Sequence, residues 1–108
     1  MITIADEKLE RALHYLATSA EPYSKARGLV MWLDDKRKIV EAGQFHNSTG
    51  TMDERKSQAR ISAAYQEVCE QYRDAVTEEL KIRALREAAS AVIDCWRSMN
   101  ATLRSSNI

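Results

Sequence analysis

The 108-residue sequence predicts an all-α fold in which two shorter helices pack on a long C-terminal helix. Two observations carry that expectation. Apolar residues recur at three- and four-residue spacing along most of the chain, the period of an amphipathic helix. Helix breakers are scarce: Pro22 is the only proline, and no Gly or Pro follows Gly50. A composition 44% hydrophobic and 30% charged is that of a folded protein rather than a disordered one. At this length a single domain is expected, and its own core is modest.

Thr3 followed by Asp6 supplies a cap for the first helix, whose apolar positions are Leu9, Ala12, Leu13 and Leu16. The segment ATSAEP is expected to end it, with Pro22 in the first turn of a second helix, where a missing N–H goes unnoticed. Tyr23, Ala26, Val30, Leu33 and Val40 then mark one stripe, widened by Leu29 and Trp32, that runs to Gly43 as a left-handed terminator. These two helices form a hairpin over residues 1–43, followed by a loop, GQFHNSTG, through residue 50.

Thr51 and Glu54 form a capping box that opens the third helix, over residues 51–104, with a short tail at 105–108. Its stripe is Ile61, Tyr65, Val68, Tyr72 and Ala75, then Leu85, Ala89, Val92, Trp96, Met99 and Leu103. Between them, from Thr77 to Arg83, the pattern weakens, which makes this the place for a kink or break. An unbroken helix of this length would span roughly 80 Å at about 1.5 Å per residue, against a radius of gyration of about 13 Å for a compact domain. The helix therefore either folds back near Thr77–Arg83 or outruns its partners and packs on other copies. The small, apolar distal face, with Ala84, Ala88, Ala89 and Ala91 beside Val92, Ile93 and Trp96, favours a homo-oligomer. Its expected interface is Leu85, Ala89, Val92, Trp96, Met99 and Leu103.

Sixteen Lys and Arg balance sixteen Asp and Glu, so no bulk charge points to nucleic acid or to an anionic membrane. The N-terminal MITIADEKLERALHYL carries acids where a signal peptide needs cations, and no run approaches a membrane span, so a cytoplasmic protein without a membrane partner is expected. Cys69 and Cys95 lack metal-site spacing and are expected as packed free thiols. The Asn47 and Asn100 glycosylation sequons carry no weight without a secretory signal.

Catalytic motifs are missing: there is no phosphate loop, no nucleophile elbow and no His-Glu-x-x-His helix. His14, one turn after Glu10, and His46 do not make up the three or four ligands of a zinc site, and each reads as a solvated side chain. Asp34 and Asp35 are adjacent and diverge on a helix, so they make no acid–base pair. A non-enzymatic protein with no cofactor and no metal is expected.

Charge is uneven along the chain. From Lys36 to Arg60 six bases (Lys36, Arg37, Lys38, Arg55, Lys56, Arg60) face three acids (Glu41, Asp53, Glu54). If the flanking helices are antiparallel, these bases meet at one end around a polar loop that also carries Phe45 and His46. Such an end suits phosphate neutralisation and base stacking on single-stranded DNA. The plainer alternative is a solvated helix end whose Lys and Arg complement the macrodipole. Trp32, Trp96, Tyr65 and Tyr72 read as packing residues.

The order of these features, with STGTMDERKSQARISAAY and the terminal VIDCWRSMNATLR, resembles the UvsY-type recombination mediators encoded by tailed bacteriophages. The resemblance spans roughly residues 23–104. It implies a small, helical, multimeric protein of the host cytoplasm that binds single-stranded DNA, acts against single-strand-binding protein and helps load a RecA-like recombinase. It also implies ring assembly through the C-terminal helix, for which AASAVIDCWRSMNATL is suited. The family's Lys-x-Arg patch before the loop has no counterpart in VEAGQF, and Lys36, Arg37 and Lys38 are the nearest substitutes. Two rivals remain: a protein-binding regulator that docks a helix face on an enzyme, and a structural virion or scaffold component.

Overall fold

The computed structural model describes residues 5–106, and Thr3, the expected first cap, lies outside them. The described chain is all-α: α1 spans Asp6–Asn47, α2 Met52–Ile61 and α3 Ala63–Ser106. It divides into two compact units, one of residues 1–24 with 80–108 and one of residues 25–79.

The first correction concerns the hairpin expected within residues 1–43, because ATSAEP does not end a helix and Pro22 lies inside α1. An interior proline loses one hydrogen bond and strains the preceding turn, at about 3 kcal/mol in isolation. Here the carbonyl that Pro22 leaves without its helical donor belongs to Thr18, an exposed residue. The turns on either side are held from α3. Arg86 Nη1 donates to Leu16 O at 2.9 Å and to Ser19 Oγ at 2.6 Å, and Arg83 Nε makes a longer bond of 3.4 Å to Tyr23 Oη.

A second difference lies at the end of α1, which passes through Gly43 and stops at Asn47. The helix ends where its last carbonyls find other donors. Ser48 Oγ donates to Gln44 O at 2.7 Å, while Ser48 N at 3.2 Å and Arg55 Nε at 3.2 Å both reach Phe45 O. The left-handed residue is Gly50, with φ 113°, rather than Gly43. Thr51 then caps α2 as expected, its Oγ1 accepting from Glu54 N at 3.2 Å.

The expected helix over 51–104 is interrupted, but at Ser62 rather than at Thr77–Arg83, through which α3 runs without a break. Ser62 leaves the helical region, with φ −63° and ψ 147°. It serves both neighbours: its Oγ donates to Ala59 O at 2.7 Å, closing α2, and accepts from Tyr65 N at 3.2 Å, opening α3. Gln66 Nε2 donates to Arg60 O at 2.6 Å and takes up another carbonyl of the junction.

Each unit is built on an antiparallel seam whose positions alternate by three and four residues, the heptad spacing of coiled coils. In the unit of residues 25–79, Ala26, Val30, Leu33, Arg37, Val40 and Gln44 of α1 and Tyr65, Val68, Tyr72, Ala75 and Glu79 of α3 are the positions at this spacing, all buried or half-buried. Leu33, Val68 and Ala75 form its core, with Val30, Val40, Tyr65 and Tyr72 packed around them. Ala59 of α2 is fully buried, so α2 is docked rather than a free extension of α3. In the other unit, Leu9, Ala12, Leu16, Ser19 and Tyr23 of α1 and Ile82, Arg86, Ala89, Ile93 and Trp96 of α3 are buried or half-buried in the same spacing, with Arg86 reaching Leu16, Ser19 and Tyr23. Within each unit α3 has a segment of α1 beside it, so helix length alone does not require neighbouring copies.

Several expected seam residues fall elsewhere. Leu13, Leu29 and Trp32 of α1 are substantially exposed, as is Ile61, which belongs to α2 and points away from the seam. Of the expected oligomer interface, Ala89 is buried and Val92, Trp96 and Met99 are half-buried. Leu85, Ala89 and Val92 border a hollow shared with Ala12 and Tyr15 of α1. Part of that face is therefore taken up within the chain, while Leu85 and Leu103 stay half-exposed. Cys69 is half-buried but Cys95 is exposed, unlike the packed thiol expected there.

Candidate functional site

The basic end belongs to the unit of residues 25–79, where the last turns of α1, the loop and α2 come together. Consecutive residues on a helix point about 100° apart, so Lys36, Arg37 and Lys38 cannot act as one patch. Arg37 turns inward. Its Nη2 lies 2.6 Å from Asp34 Oδ1 and its guanidinium sits 4.9 Å from the centre of the Tyr72 ring. Its Nε is buried with no hydrogen-bond partner among the described residues. Lys38 reaches the other oxygen of Asp34, Oδ2, at 3.3 Å, but remains largely exposed. Lys36 points away from both and is half-buried, with no ion pair among the described residues.

The hydrogen bond from Arg37, with that from Lys38 second, holds the Asp34 carboxyl below its ordinary value; the same bond raises the Arg37 guanidinium further. Tyr65 is shifted up, first by its hydrogen bond with Cys69 and then by burial. Both tyrosines of α3 are thus packing residues, as their seven-residue spacing suggests.

On the loop side, Arg55 lies over the Phe45 ring, 4.4 Å from its centre, while donating to the Phe45 carbonyl. One guanidinium both closes the end of α1 and covers an aromatic face. Arg60 is drawn to Glu41, Nε to Oε1 at 3.1 Å. Lys56 is exposed and has no ion pair among the described residues, and His46 is exposed near the helix end. A shallow groove bounded by Lys38, Glu41, Ala42, Phe45 and Lys56 brings three of the expected site residues together.

The structure therefore brings Lys38, Phe45, Arg55 and Lys56 together, sets Arg60 beside them in an ion pair, and separates Lys36 and Arg37 from them. The residues that sequence reasoning missed are the acids. Asp34 and Glu41 engage three of the six cations. The signal for Asp34 was present, since an acid three and four residues before Arg37 and Lys38 is a helix-pairing pattern. That for Glu41 was not, because Arg60 lies nineteen residues away. No group of three or more His, Cys, Asp or Glu able to hold a metal ion occurs among the described residues, and none of their helices is long and apolar enough to cross a membrane. No protein-family model, curated protein or solved structure matches this chain.

Proposed function

We propose that the protein is a non-enzymatic recombination mediator that binds single-stranded DNA as an oligomer at the α1–loop–α2 end. There it helps load a RecA-like recombinase against single-strand-binding protein. The observation that supports this reading is the groove at Phe45, flanked by Lys38 and Lys56 and by Arg55 on the ring. Amines able to meet phosphates lie beside a planar cation–aromatic stack on which a base can continue, the combination that single-strand binders use. Oligomerisation multiplies a weak patch into useful affinity through effective concentration.

The test is fluorescence anisotropy with a labelled oligonucleotide. If Lys38, Arg55 and Lys56 each neutralise one phosphate, affinity falls about 20-fold between about 50 and 200 mM salt, and Lys56→Ala lowers the slope by about 0.7. Absence of binding at low salt removes the DNA reading.

A second reading, a helical module that binds another protein, is favoured by the acids at the same end, because Asp34 and Glu41 leave few cations for phosphate. Lys38→Glu with Lys56→Glu separates the two: it abolishes activity under the first reading and leaves it intact under the second. Arg37 is unsuitable for this test, since it holds the seam.

A further inference from the structure

On the side of α1 away from its seam, the unit of residues 25–79 carries a second apolar stripe. Trp32 is 55% exposed and Ile39 62%, and they lie seven residues apart on one face. Gly28 and Gly43 continue that face above and below. Both are inside a helix, where glycine is unfavourable, and apart from the surrounding helix backbone neither has any described atom within 4 Å of where a Cβ would stand. Nothing among the described residues calls for their small size. Between the two apolar residues stand Asp35, exposed, and Lys36, half-buried, opposite charges with no ion-pair partner among the described residues.

These residues are arranged symmetrically about the point between 35 and 36. When a second copy of the helix is laid antiparallel with its two-fold axis there, Gly28 comes level with Gly43, Trp32 with Ile39 and Asp35 with Lys36, each pair occurring twice. Helical side chains lean toward the N-terminus, so each indole inclines from the level of the opposing Ile39 toward that of the opposing Gly43, where the open space lies. A face that complements itself under a two-fold operation is the signature of an isologous contact.

We propose that this face of α1 binds a second copy of this chain, in an antiparallel pair centred between Asp35 and Lys36. Charge complementarity selects the occupant, since Asp35 meets the other copy's lysine and Lys36 its aspartate. The contact is distinct from the α3 face and from the Phe45 groove, and does not depend on DNA binding. A contact of about four helical turns is small by interface standards, so a reversible dimer is expected.

Sedimentation equilibrium of the full chain without DNA tests this, with molar mass expected to rise with concentration from 12.3 kDa toward twice that value. Asp35→Lys and Lys36→Glu each place like charges across the axis and should weaken association about tenfold or more. The double variant Asp35→Lys/Lys36→Glu restores opposite charges and should recover the wild-type dissociation constant, and the two single variants mixed should pair with each other. Gly43→Leu should abolish pairing while circular dichroism shows undiminished helix. A wild-type protein monomeric at all concentrations, an assembly unmoved by Asp35→Lys, or a double variant no better than the singles would overturn the proposal.

Discussion

Arg86 ties α3 to α1 at three points within the unit of residues 1–24 and 80–108, and its replacement by leucine measures their worth. Its Nη1 donates to Ser19 Oγ and Leu16 O, and its guanidinium lies 5.4 Å from the centre of the Tyr23 ring. A hydrogen bond from a charged donor contributes about 1.5–3 kcal/mol, and stranding a buried hydroxyl such as that of Ser19 costs about 1–3 kcal/mol. The ring contact adds about 0.5–1 kcal/mol. Against these, leucine gains roughly 1 kcal/mol of apolar burial, and Ser19 can turn its hydroxyl to a carbonyl of its own helix. The net loss is about 2–3 kcal/mol, or a fall in Tm of roughly 10–20 °C for a protein this small. Thermal and urea unfolding followed by circular dichroism read it directly. A double-mutant cycle with Ser19→Ala should show a coupling of about 1–2 kcal/mol. A Tm within about 4 °C of wild type, or a strictly additive cycle, would refute the assignment of Arg86 as the clamp around Pro22.

Three further outcomes are expected. Asp34 titrates below its ordinary value when folded, so its stabilisation is complete above that value and is lost as pH falls through the lowered one. The stability gap between wild type and Asp34→Asn, measured by urea unfolding, should therefore be constant near neutrality and close below about pH 4. Gly50→Ala puts a Cβ at a positive φ and against the Glu54 carboxylate, and should destabilise by about 1–3 kcal/mol, read as a shift in urea midpoint without a change in slope. Ser62→Ala removes the hydroxyl that closes α2 and opens α3 and should cost about 1 kcal/mol, with amide exchange accelerated first at Tyr65.

Sequence and structure agree where the governing interactions are local. Helical periodicity, the Thr51 cap and the glycine-bearing loop all lie within a few residues of their causes, so the all-α class and the start of α2 were legible. The α2–α3 junction at Ser62 was legible in principle, since a serine ahead of Ala-Ala-Tyr is a cap signal, but it was hidden inside a run of good helix formers. Lys38, Phe45, Arg55 and Lys56 were readable as a basic, aromatic end. The loss of Lys36 from it follows from helix geometry, but the capture of Arg60 by Glu41 joins two helices and leaves no local trace.

What the sequence alone determined is therefore helical content, the cap of α2, and the gathering of Lys38, Arg55 and Lys56 with Phe45 around one loop. Tertiary structure decided how far each helix runs and which residues form the seams. Pro22 stays within α1 because Arg83 and Arg86 hold the turns around it. The three-and-four spacing includes Ser19, Arg37, Gln44, Glu79 and Arg86, positions that any apolar count passes over. Such groups can be buried in a seam only when the opposing helix or a neighbouring turn supplies their partners, as with Arg86 on Ser19 and Arg27 at 3.5 Å from Glu79. Partner supply is a property of two segments far apart in the chain, and so it is written in the packing rather than in either segment alone.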